Sequence, residues 1–289
     1  MNETQQLFNE TLKMAQKQLT LQYYDTKTKH IYNLINYANF PELRSGIISF
    51  IENSFDTLRK EAYNFKTEQD KIWNDGYESS VMVNSVAFGA LVRTAGMLGE
   101  KRLAPLLYKE FLGLEEEFYE LNLERGTLSI ALSILSYEGD IKEIQDILDD
   151  AVSNQYDINE REHIMKMFYA FCILKKDKTR ALDYLSNYKR TENLSFVAAA
   201  LADLDVKNAL PILRDRLNQL DCPITKEVFL EAIYRLEVQT EIPDTQNRMI
   251  WMFGKRNDTE LALGNDTDNI FTLRAIEKTG DSELGIFYE

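Results

Sequence analysis

The chain has 289 residues, 44% of them hydrophobic, which supplies ample apolar surface for a core and excludes compositional disorder. It holds only 12 glycines and 5 prolines, too few for the many turns of a sheet protein, so helices joined by short loops are expected. With 33 basic against 47 acidic side chains and a net charge of −14, it repels phosphate backbones and anionic bilayers, which disfavours nucleic acid and membrane surfaces as partners.

In chain order, the first residues lack an apolar run of the kind a secretory leader needs, and no stretch reaches the length of a membrane span. A cytoplasmic protein is expected. Apolar spacing of three and four residues predicts helices over Leu7–Leu19 and His30–Ala38. A longer helix opens at Pro41 and runs through Ile47, Ile48, Ile51, Phe55, Leu58 and Ala62. Residues 1–78 therefore read as an N-terminal helical cap, with the junction at Asn74-Asp-Gly-Tyr. From there to residue 289 one form recurs: an aliphatic helix, a polar turn, then a second helix.

Two stretches align without gaps. Ala95-Gly-Met-Leu-Gly-Glu-Lys-Arg-Leu-Ala-Pro-Leu-Leu matches Leu201-Ala-Asp-Leu-Asp-Val-Lys-Asn-Ala-Leu-Pro-Ile-Leu, with Pro105 and Pro211 in the first turn of the second helix. Weaker copies end their first helices at Leu135, Leu174, Leu236 and Ile276, at intervals of about 30–40 residues. Second helices are predicted over Leu103–Leu121 and Ile141–Val152, each with one apolar stripe. The turn pattern of Leu201–Leu213 and Lys278-Thr-Gly-Asp resembles HEAT-type repeats. That resemblance implies an all-α fold, a right-handed α-α superhelix (a solenoid of about five to six helix pairs) over 79–289. It implies no particular activity.

Chemistry-bearing motifs are scarce. His30 and His163 are isolated, as are Cys172 and Cys222, so neither a zinc site nor a disulfide framework is expected. No phosphate loop, dinucleotide fingerprint or hydrolase elbow occurs. Gly264-Asn-Asp-Thr-Asp-Asn reads as a polar capping turn rather than a calcium loop, and Trp73 and Trp251 as packing residues. No catalytic residue, metal or cofactor is assigned.

Charge is the one segregated property. From Glu110 to Glu162 there are fifteen acidic and three basic residues, and from His163 to Arg190 the balance turns positive. Helical spacing puts Glu110, Glu117, Glu120 and Glu124 on the polar side of one second helix, and Glu143, Asp146 and Asp150 on that of the next. In a solenoid these stripes join into an acidic groove for a basic protein or peptide, such as a cationic toxin or nuclease held by an antidote. A solvated polar face is the plainer explanation of the same pattern. Other readings of the scaffold are a base-excision glycosylase, a bilin lyase and a subunit of a larger complex. The charge opposes the first, and no pigment pocket supports the second.

Overall fold

The computed structural model describes residues 3–20, 29–72, 84–114, 124–153, 158–187, 194–238 and three short strand segments beyond them. Every regular element up to residue 238 is helical. Helix α1 spans Glu3–Lys17, α2 Lys29–Asn33 (continued by a 3-10 turn over Leu34–Tyr37), and α3 Pro41–Ile72. These agree with the three helices expected from apolar spacing.

Among the described residues, four helix pairs and one further helix follow. They are α4 (Ser85–Leu98) with α5 (Ala104–Leu112), α6 (Glu124–Ile134) with α7 (Lys142–Ser153), α8 (Ile158–Lys175) with α9 (Lys178–Asn187), α10 (Ser195–Asp203) with α11 (Leu210–Leu217), and α12 (Pro223–Val238). The first helices pack in sequence, α4 on α6, α6 on α8, α8 on α10 and α10 on α12. Each second helix packs against the first helix that comes after it, α5 on α6, α7 on α8, α9 on α10 and α11 on α12. At the other end α2 and α3 both pack on α4. Asn84 ties that end together: its side chain accepts from the Ala87 amide, capping α4, and donates to the Gln18 and Thr20 carbonyls at 2.9 and 3.1 Å.

The first helices are apolar nearly all round because they lie between neighbours. In α4, Ala87 to Val92 and Thr94 to Leu98 are buried, and in α10, Val197 to Ala202. Small residues allow the close approach. At Gly126 of α6 an added Cβ would lie 2.7 Å from the Cα and Cβ of His163 in α8, so only glycine fits there.

The turns repeat as the aligned stretches require. Gly99, Ser136, Lys176 and Asp205, each at the end of a first helix, have φ of 66°, 53°, 54° and 51°. After the last three, the amides of Tyr137, Asp177 and Val206 reach back to the carbonyls of Leu132, Cys172 and Leu201 at 3.0, 2.9 and 2.9 Å, the wide bond of a Schellman cap. Lys101–Leu103 and Lys207–Ala209 then form matching 3-10 turns, and α5 and α11 start at matching residues with Pro105 and Pro211 in their first turns.

Two expectations change. The helix read over Leu103–Leu121 ends at Leu112, with Gly113 as its C-cap, and Glu124 opens a separate helix. Arg274, expected to start a helix, instead ends the middle strand of a short antiparallel sheet of Glu260–Leu261, Thr272–Arg274 and Ile286–Phe287, in that order. The Asn74–Tyr77 junction, Trp73, Trp251, the 264–269 loop, Ile276 and the Lys278 turn lie outside the described residues.

Candidate functional site

The acidic face that the structure assembles is the outer side of α7. Ile144 and Leu148 point inward and are buried, as is Ile141 just before the helix. Asp140 accepts from the Lys142 amide at 3.1 Å and so caps the first turn. Glu143, Asp146 and Asp150, three and four residues apart, are exposed together on the opposite side. The neighbouring Asp149 meets Arg180 of α9 at 3.7 Å. Arg180 is also bound to Asp177 at 3.4 Å, and its guanidinium sits 4.7 Å from the centre of the Phe171 ring.

Two tyrosines border the stripe. Tyr108 of α5 and Tyr137 of the α6–α7 turn have ring centres 4.8 Å apart, and the Tyr108 hydroxyl donates to the Glu143 carboxylate. Burial raises the Tyr108 hydroxyl above its ordinary range, and the Glu143 hydrogen bond and charge raise it further. Tyr137 is raised too, by burial first and then by Asp140 and Glu143. Both phenols therefore stay protonated at neutral pH, and Tyr108 holds Glu143 in place.

The remaining expected face residues divide. Glu110 is not on a solvent face: its side chain is 2% exposed and ion-paired with Arg59 of α3. Burial pushes its carboxyl above the usual range while Arg59 pulls it down. Glu124 starts α6 and meets Arg93 of α4 at 3.6 Å, also largely buried. Burial disfavours the Arg93 charge, but Glu124 and then Tyr32 outweigh that and raise its pKa. Glu117 and Glu120 lie outside the described residues. The single groove of seven acids is thus, among the described residues, a stripe of three on α7 with two others turned inward to bind helices together.

A second buried set was missed by sequence reasoning. Asp203, at the end of α10, accepts from the Tyr169 hydroxyl of α8 at 2.7 Å and pairs with Arg235 of α12 at 2.5 Å. Burial and the Asp203 charge raise Tyr169 well above its usual value. The signal was present as one acid within Ser195–Asp203 and one arginine within the apolar part of α12.

Cys172 is buried and its thiol pushed up to about 12 by desolvation, which suppresses the thiolate. Among the described residues no group of three or more His, Cys, Asp or Glu side chains could hold a metal ion, and no helix is long and apolar enough to cross a membrane. No protein family, characterised protein or solved structure matches the chain.

Proposed function

We propose that the protein is a binding scaffold of HEAT-like, right-handed solenoid type, which holds a basic protein or peptide against the outer face of α7. The observation that carries this reading is the exposed stripe of Glu143, Asp146 and Asp150, with Glu143 held by Tyr108. Support for the solenoid comes from the sequential packing of α4, α6, α8, α10 and α12 and from the recurring left-handed turn. On this reading α1–α3 cover the apolar end of the row, as a solenoid end requires. Acidity on a rigid second helix speeds encounter with a cationic partner and orders its Lys and Arg side chains. An antidote to a cationic toxin or nuclease is one form such a scaffold takes.

The test is capture of basic proteins from a cell lysate by the immobilised full chain and by a Glu143→Lys, Asp146→Lys, Asp150→Lys variant. Salt-sensitive capture by the native chain that the variant loses is the expected result. Equal capture by both would remove the α7 face from the function.

A further inference from the structure

Helix α7 packs closely on α8, and carboxylates near its two ends tie it sideways to its second-helix neighbours. Glu143, in the first turn, accepts from the Tyr108 hydroxyl of α5. Asp149, near the last turn, meets Arg180 of α9 at 3.7 Å. With about 3.6 residues per turn these two acids stand about 120° apart around the helix, and Asp146 and Asp150 fall between them. The exposed acids of α7 are thus bordered on each flank by a tie made of the same chemistry.

The two ties are unequal. The Tyr108 hydroxyl occupies Oε2 of Glu143, and the carboxylate can take a further donor on its other oxygen while that bond stays. Tyr108 is itself buried, so this end is anchored. The side chains of Arg180 and Asp149 are 32% and 58% exposed, and a pair so exposed is weak and open to competing cations. Arg180 also has Asp177 at 3.4 Å and the Phe171 ring centre at 4.7 Å, so its guanidinium keeps two contacts when Asp149 leaves.

We infer that a cationic partner on the α7 face takes Asp149 from Arg180 and lets the C-terminal end of α7 swing away from α9, with Tyr108 and Glu143 as the pivot. This rests on the reading of α7 as the binding face and adds how that face is regulated. Arg180 is an internal competitor that the partner displaces. Breaking the tie opposes binding, so removing the tie by mutation tightens binding by the same factor.

The experiment is electron–electron double resonance between spin labels at Gln145→Cys on α7 and Asp183→Cys on α9. It uses the full chain with the exposed Cys222 replaced, Cys222→Ser, and a short oligolysine peptide as the probe. Bound peptide is expected to lengthen the distance by about 2 Å, the scale of helix shifts at packed interfaces. Arg180→Gln is expected to show the longer distance without peptide and to bind peptide about two- to threefold more tightly. Lys13→Gln removes the same charge from an exposed position on α1 and should do neither. Peptide that binds without moving the labels, or an Arg180→Gln chain that binds no better than Lys13→Gln, would overturn the inference and leave the α7 reading intact. An oligolysine that does not bind at all would remove both.

Discussion

Helix α4 and helix α7 are built at opposite extremes. Helix α4 is buried on almost every side, whereas α7 buries one stripe and gives its other side to carboxylates. The same division separates the acids. Glu110 and Glu124 sit against arginines of preceding helices and join elements, while Asp146 and Asp150 stand on an exposed face. Acids of the first kind are part of the fold's stability, and acids of the second kind lie on the side of their helix turned to solvent. An acid-rich block in sequence can therefore serve two ends at once, depending on which side of the helix each residue takes.

The comparison breaks first at Arg59. Arg59→Ala leaves the Glu110 carboxylate buried without its guanidinium and should cost about 3–4 kcal/mol in urea denaturation. Burial raises the folded pKa of Glu110 above its unfolded value, and losing Arg59 raises it further. The folded variant then keeps its proton where the unfolded chain has lost it. Its deficit should be smallest below the ordinary carboxylate range and should grow as pH rises through the folded value. A deficit independent of pH would show that Glu110 is not the buried charge.

Next comes the contact between first helices. Gly126→Ala forces a methyl group against the His163 backbone and should cost about 2–3 kcal/mol, read in the same way. A variant as stable as the native chain would mean that α6 and α8 do not approach this closely. In the opposite direction, Lys176→Gly relieves a left-handed lysine and should stabilise by about 0.5–1 kcal/mol, seen as a raised Tm. The smallest effect belongs to the outer face: Asp146→Lys with Asp150→Lys should change stability by less than about 0.5 kcal/mol. A large loss there would make α7 structural and erase the distinction.

Much of this was written in the spacing. The starts of α3, α5 and α11 follow from Pro41, Pro105 and Pro211, and the aligned turns after Leu98 and Leu204 fold as their shared pattern requires. The inward acids were legible too, although wheel reasoning that sorts charge outward passes over them. Glu110 stands three residues after Leu107 and four before Leu114, on the apolar stripe itself. Arg59 holds the matching place between Phe55 and Ala62, and Glu124 precedes Leu128 by one turn. A charge on an apolar stripe calls for an opposite charge on the facing stripe, and here each has one. What spacing could not supply is which stripes face each other, since α3 meets α5 across more than thirty intervening residues. The end of α5 at Gly113 was missed because the apolar period carries on past the glycine in sequence.

The most direct test sets two equal charge changes against each other. One variant reverses Glu143, Asp146 and Asp150 to lysine, and the other reverses Glu3, Glu10 and Glu42, exposed acids on α1 and α3. Both shift the net charge equally, so capture of basic proteins that is lost only in the α7 variant is the predicted result. Equal loss in both, or loss in neither, would contradict a partner-binding role for that face.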